Sequence, residues 1–315
     1  MTKTDFKALH ARFKYNKQTS DDEKLVSPFA KTGETSWHPA VKRCIEHHQK
    51  SKEIQLDAFT NQGLMFPFSN DDSAIPKQMM RGSLFAPITR GRRKYMQDKP
   101  VCVFDGGQIS YTGAQLDQGD LDVLLTLNSL LSDFTESGNV ERITDESGRI
   151  EYTRIKFIRY SILKKMGKTN SKKNYMKLEQ SLDRLGGRIQ VMIKGQGKIS
   201  GGMLGKCFVG EDGMMAVDIN HEYTKLFSDG QFSFIDTKMR MELKGDFTKW
   251  LQGFISTHSG RATYSAEKLM ELSSCSTKSV RHWILRQAKP AFEQLEEQKL
   301  IKYYSVKGHL FSWFK

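Results

Sequence analysis

The residues best placed to do chemistry are basic. Between Tyr152 and Leu178 the chain carries Arg154, Lys156, Arg159, Lys164, Lys165, Lys168, Lys172, Lys173 and Lys177 without one carboxylate. Like charges one helical turn apart repel, so a solvated structural face mixes signs. An unbalanced run suits a polyanion instead, and phosphate is the commonest. A second run repeats the logic: Lys278, Arg281, Arg286 and Lys289 precede any acid, with Ser279 and His282 between them. Asn174 is able to pair bidentately with adenine and lysine to reach guanine. The same side chains also clamp phosphates, and spacing does not separate the two roles.

Catalytic constellations are missing by comparison. Gly167-Lys168-Thr169 resembles the end of a phosphate-binding loop, but Ile162 stands where its earlier glycine belongs. Gly205-Lys206 is followed by Cys207 and has Ser200 at the earlier position. Cys44 lies near His47 and His48, yet no second ligand pair with zinc spacing follows. His47 and His48 are adjacent rather than split by an apolar residue, which gives no support to a metal-dependent nicking nuclease. His282 has no nucleophile pattern around it. The expectation is a protein that binds without an enzymatic activity, a cofactor or a metal.

The basic runs need elements to present them, and one order of elements occurs twice. A strand at Tyr152 to Lys156 leads to a short helix from Ile158 to Met166, ended by Gly167. The polar turn Lys168-Thr169-Asn170-Ser171 opens a second helix with the apolar stripe Tyr175, Leu178, Leu182 and Leu185. Arg188 to Lys194 and later glycine-punctuated strands predict a hairpin. In the second copy Ala262-Thr263-Tyr264 leads to a short helix capped by Ser265 and carrying Leu269 and Leu272. Thr277 is the expected cap of a longer helix with Val280, Ile284 and Ala288 inward, broken or kinked at Pro290. Trp283 is assigned to the core. Ile301 to Tyr304 and Leu310 to Phe314 flank Lys307-Gly308 as a terminal hairpin.

Strand, helix, turn, helix, hairpin is the order of a winged helix-turn-helix. The fold class is therefore α+β, two tandem winged-helix domains behind a flexible polar arm. The boundaries are 1–74 for the arm, 75–236 for the first winged helix and 237–315 for the second. DNA contacts are expected from Lys168, Ser171, Lys172, Lys173, Asn174 and Lys177 in the first. In the second they are expected from Lys278, Ser279, Arg281, His282 and Arg286, with Lys307, Lys302 and His309 as wing candidates. If both second helices enter the major groove from one side, their centres lie roughly 10 bp apart. One monomer then covers a directly oriented site without a palindrome.

Between arm and first copy, Pro76 suits a helix start, with Met79, Met80, Leu84 and Phe85 on its apolar face. Val101 to Phe104 and Ile109 to Tyr111 flank the turn signal Asp105-Gly106-Gly107. Leu116, Val123, Leu124, Leu127, Leu130, Leu131 and Phe134 then predict a helix. Asp117, Asp120 and Asp122 near its start are read as solvated acids favoured by the helix dipole.

Composition agrees. The 315 residues hold 49 Lys plus Arg against 36 Asp plus Glu, a formal charge of +13. Hydrophobic residues make up 38%, enough for cores and too many for wholesale disorder. The mean hydropathy is -0.55 and no apolar run is long enough to span a bilayer. Met1 to Phe6 runs into alternating charge, unlike a signal peptide. Four separated cysteines fit a reducing compartment, and the expected location is the bacterial cytoplasm.

Several segments also resemble the TrfA family of plasmid replication initiators. They are Ile75-Pro76 through Arg81-Gly82-Ser83-Leu84-Phe85, Arg92-Arg93-Lys94-Tyr95, and Tyr111-Thr112-Gly113-Ala114-Gln115-Leu116-Asp117-Gln118-Gly119-Asp120-Leu121-Asp122-Val123. Further on come Asn174-Tyr175, Leu182-Asp183-Arg184-Leu185, Leu243-Lys244-Gly245, Lys249-Trp250-Leu251 and Phe254-Ile255-Ser256-Thr257-His258. The resemblance spans roughly residues 75 to 315. It implies two winged-helix domains that bind direct repeats, or iterons, of double-stranded DNA in a plasmid origin. It further implies opening of a neighbouring AT-rich segment, contact with its single strands, and recruitment of the host helicase and initiator. A homodimer, made through the first domain, in equilibrium with an active monomer belongs to the same implication, and so does plasmid copy control.

In the arm, Gln55-Leu56-Asp57-Ala58-Phe59 is similar to the peptide Gln-Leu-Ser/Asp-Leu-Phe that docks into the DNA polymerase sliding clamp. Gln55 would supply amide hydrogen bonds, with Asp57 in the spacer, while Leu56 and Phe59 fill an apolar cleft. Ala58 departs from the usual leucine. A tandem winged-helix transcription repressor fits the same basic helices without any of the origin chemistry.

Overall fold

The computed structural model describes residues 68–315 apart from short segments at 70–71, 89–92, 105–106, 136–139, 194–196, 211–212, 225, 228–231, 276 and 278. The clamp-like peptide Gln55 to Phe59 and the candidate Lys278 lie outside the described residues. Those described belong to one packed unit, Gln62–Lys315, that contains both winged helices.

Strands β1 (Phe68–Ser69) and β2 (Asp72–Pro76) open the described chain. Pro76 ends β2, and helix α1 (Lys77–Met80) has a single turn. The longer helix expected here does not form. Leu84 and Phe85 lie beyond it, with β3 (Phe85–Ala86), although all four apolar residues of the expected face are buried. Next come β4 (Tyr95–Phe104) and β5 (Gly107–Ala114), antiparallel around the expected turn, and β6 (Leu116–Asp117). Helix α2 (Gln118–Thr135) buries Leu121, Leu124, Leu125 and Leu127 at the centre of the unit.

The first winged helix begins with β7 (Val140–Thr144) and β8 (Ile150–Ile158), followed by α3 (Arg159–Lys165) and α4 (Lys172–Leu185). Gly167 takes a left-handed φ of 64°, the conformation that ends α3 and turns the chain. Strands β9 (Arg188–Ile193), β10 (Gly197–Gly202), β11 (Leu204–Val209) and β12 (Met214–Asn220) follow. The hairpin expected after α4 does form, but it pairs with β5 in a sheet ordered β10-β9-β5-β4. The strand lying beside β8 is β12, in the order β11-β12-β8-β7. The second hairpin, β11–β12, is therefore the wing.

Helix α5 (His221–Thr224), strand β13 (Phe232–Asp236) and helices α6 (Thr237–Glu242) and α7 (Asp246–Ser256) lead into the second winged helix. β13 pairs with β2, so the start and middle of the described chain share a sheet. The second copy runs β14 (Arg261–Ser265), α8 (Ala266–Ser273), α9 (Val280–Trp283), a π-helical turn at Ile284–Ala288, α10 (Lys289–Glu297), β15 (Tyr303–Lys307) and β16 (Leu310–Phe314). β16 lies beside β14, in the place β12 holds beside β8. Trp250, Phe254, Leu269, Trp283, Phe292, Phe311 and Trp313 form its core, and Trp283 is buried as assigned.

The π turn has a local cause. Pro290 has no N–H for the carbonyl of Arg286, and its ring would crowd that oxygen in an α-helix. The backbone widens one turn earlier, where Lys289 N–H donates to the carbonyl of Ile284. Pro290 thus deforms the helix without ending it.

Candidate nucleic-acid interface

Each winged helix presents its second helix through a side-chain cap. Ser171 Oγ accepts from Asn174 N–H at 3.4 Å and starts α4. Asn174 also donates its side-chain amide to the carbonyl of Thr169 at 2.8 Å, so its donor holds the turn. In the second copy the cap is Ser279, which accepts from His282 N–H at 3.3 Å, rather than Thr277. Thr277 Oγ1 lies a turn earlier and accepts from Ser279 N–H. Both candidate serines are committed to the backbone.

Four of the nine basic residues in the first run are spent on the fold. Arg154 grips Asp218 through two hydrogen bonds of 2.7 and 3.0 Å. Lys156 meets Glu141 at 3.1 Å, and Lys165 donates to Ser129 Oγ. Arg159 stacks 4.2 Å above the Tyr175 ring and contacts Glu179 at 3.3 Å. The missing acids come from other elements, which a linear count cannot see. Lys164, Lys168, Lys172, Lys173 and Lys177 stay exposed and have no carboxylate partner among the described residues.

Their placement is locally unfavourable. The first turn of α4 has no acid and carries Lys172 and Lys173 at the positive end of the helix dipole. The second copy likewise has no acid in its first turn and exposes Arg281 and His282 there. Helices α2, α7 and α8 carry Asp120, Asp246 and Glu267 in their first turns, while α1, α3, α6 and α10 also start without an acid. A phosphate at either helix start would reverse this cost, since backbone N–H groups and cations would then converge on one anion.

The exposed faces coincide in type. Lys172, Lys173, Lys177 and Gln180 are exposed along α4; Arg281, His282 and Arg286 are exposed on the second helix, with Lys289 partly so. Lys307 is exposed next to Gly308, which turns the second wing at φ 60°. His309 is held by Glu267 at 2.5 Å, and Lys302 lies 4.7 Å over the Phe314 ring. In the first wing Lys206 is exposed; it escaped sequence analysis because the wing was assigned one hairpin too early.

Asp120 and Asp122 of α2 are not solvated. Asp120 is fully buried, receiving Arg184 at 2.7 Å, Arg93 at 3.3 Å and the hydroxyl of Ser181. Arg93 also binds Asp117. Asp122, 4% exposed, receives Arg240 at 2.7 Å and Lys249. Arg240 is itself fully buried and donates further to Gln118, Gln252 and the carbonyl of Lys249. One turn of α2 thereby ties the first reading helix, through Arg184, to the elements that lead into the second winged helix. The signal was present in the chain as three closely spaced acids; their partners lie 24 to 127 residues away and leave no local trace.

Among the described residues no cluster of His, Cys, Asp and Glu is arranged for a metal ion, and no helix is long and apolar enough to cross a membrane. No family model matches the chain, and no curated protein matches it in sequence. Solved structures do. Domains 2 and 3 of RctB align over 76% of this chain and 98% of theirs at 14% identity, with a TM-score of 0.52. A second RctB structure of domains 2–3 gives 0.48 at 12% identity, covering 76% of this chain and 95% of that one. The Pi initiator protein in complex with iteron DNA gives 0.45 at 13% identity, over 64% of this chain and 91% of that one. The alignment to RctB at 0.52 shows that this arrangement of elements occurs in a known protein.

Proposed function

We propose that this chain is a plasmid replication initiator that binds direct repeats in origin DNA through its two winged helices. The observation that carries the reading is the pair of exposed, acid-free cationic helix starts, one in each copy. The resemblance of residues 75 to 315 to the TrfA family supplies the identity of the target as iterons. Binding to adjacent repeats strains the origin, and protein contacts offset unstacking of a flexible AT-rich stretch. The protein acts without catalysis of its own. It recruits the host initiator and helicase, and through Gln55 to Phe59 the sliding clamp, while a homodimer form regulates the active monomer.

The first test is a salt titration on candidate repeats against scrambled duplex of equal length. Neutralising about 6–10 phosphates predicts a loss of about 10³–10⁵ in affinity between about 50 and 200 mM salt on both duplexes. A large preference for repeats at physiological salt is expected; equal affinity overturns the site-specific reading. Permanganate footprinting on a supercoiled origin then separates initiator from repressor, because only an initiator leaves unpaired thymines outside its binding site.

A further inference from the structure

Each reading helix carries one large aliphatic side chain in the middle of its cationic face. Met176 is 51% exposed and Leu285 is 53% exposed. Neither belongs to the buried stripe of its helix, which is Leu178, Ser181, Leu182 and Leu185 in α4 and Trp283, Ile284, Ala288, Ala291 and Phe292 in the second copy. The neighbours match in type one turn before and directly after, but Glu179 and Gln180 follow Met176 where Ala288 and Lys289 follow Leu285. Met176 has Lys172 and Lys173 one turn before it, Lys177 next to it and Gln180 one turn after; Leu285 has Arg281, His282, Arg286 and Lys289 at the same offsets. Residues three and four apart share a helix face. A single exposed apolar residue is ordinary on a protein surface, but one in each copy, five residues past the cap Ser171 and six past the cap Ser279, with basic residues one turn before it and next to it, is a pattern.

We propose that Met176 and Leu285 read thymine methyl groups, a specificity role that rests on the DNA-binding function proposed above. The basic residues beside these side chains suit a polyanionic surface, so the partner meeting them is the duplex. On the floor of its major groove the apolar feature is the C5-methyl of thymine. An aliphatic side chain there excludes water from the methyl while the flanking cations hold the phosphates. Lysine or glutamine at the same position would reach the backbone or a polar base edge and read nothing apolar. The π turn at Ile284–Ala288 belongs to this arrangement: it carries both Leu285 and Arg286 on the exposed side while Ile284 and Ala288 stay buried.

The test begins with selection of bound sequences from a random duplex library about two helical turns long, using the full chain. The selected duplex is then resynthesised with deoxyuridine replacing thymidine, which removes only the methyl. Wild-type protein is expected to lose about fourfold in affinity for each contacted methyl, the scale of burying one methylene. Met176→Ala and Leu285→Ala are expected to lose a similar factor on the thymine duplex and little more on the uracil duplex. Equal wild-type affinity for the two duplexes overturns the inference, as does full uracil sensitivity in both variants. Because the wild-type comparison needs no mutation, misfolding of a variant does not rescue the idea. If selection enriches no sequence at all, the site-specific function fails instead, so the two failures are distinguishable.

Discussion

At the residue scale the free lysines and the paired ones make opposite predictions. Lys172→Ala, Lys173→Ala and Lys177→Ala are each expected to weaken binding about equally on repeats and scrambled duplex, and to reduce the salt slope by about one. Lys156→Ala, whose ammonium already meets Glu141, is expected to leave that slope unchanged. Binding isotherms at several salt concentrations measure both. His258 makes a different kind of prediction. Burial lowers its pKa from the usual 6.5, aided by the charges of Arg81 and Lys315. Its ring lies among Phe254, Tyr264 and Trp313, with Nε2 3.0 Å from the Tyr264 hydroxyl. A depressed histidine favours the folded state when neutral, so its contribution is full above pH 6.5 and is lost as pH falls below that value. Thermal unfolding from about pH 8 to 5 should show falling stability in wild type and a flatter profile in His258→Gln.

At the element scale, two places where the backbone departs from a regular course carry predictions. Gly82 sits so close to strand β4 that a Cβ would lie 2.1 Å from the carbonyl of Val101. Its own carbonyl accepts the indole N–H of Trp250 at 2.9 Å. Gly82→Ala is expected to cost about 1–3 kcal/mol, read by chemical denaturation. Pro290→Ala restores the donor that the π turn lacks. It should raise thermal stability by up to about 3 kcal/mol and weaken DNA binding, because a tightened turn rotates Leu285 and Arg286 relative to α10. Denaturation and titration on one preparation measure the two effects. The order of elements in both winged helices was legible because apolar spacing, caps and glycines act locally. The placement of the first wing was not: β9 and β12 are both plausible partners for β8, and only tertiary pairing gives β9 to β5. The caps show the same boundary. Ser265 was readable as a cap, whereas Ser171 was readable only as part of a polar turn, and Thr277 and Ser279 offer the same chemistry within three residues.

At the scale of the whole molecule, the buried pair of Asp122 and Arg240 joins the two halves. Asp122→Ala leaves a guanidinium without its counter-charge in the interior and is expected to cost about 3–5 kcal/mol. Calorimetry should then resolve two unfolding transitions, against the single one expected of wild type. The acid was visible in the chain but its partner was not, because a carboxylate near a helix start fits the dipole argument whether it meets water or a guanidinium 118 positions away.

That link has a mechanical consequence. With Arg184 and Arg240 fastened to neighbouring acids on α2, the two reading helices form the jaws of a caliper set to one opening. An extra base pair inserted between the sequences they grip would displace the second by about 3.4 Å and turn it by about 35° around the duplex axis. Either the jaws or the DNA must then yield. Since loosening the jaws means breaking buried ion pairs, the softer component is the duplex, and under the proposed function an error in length would become torque on the double helix.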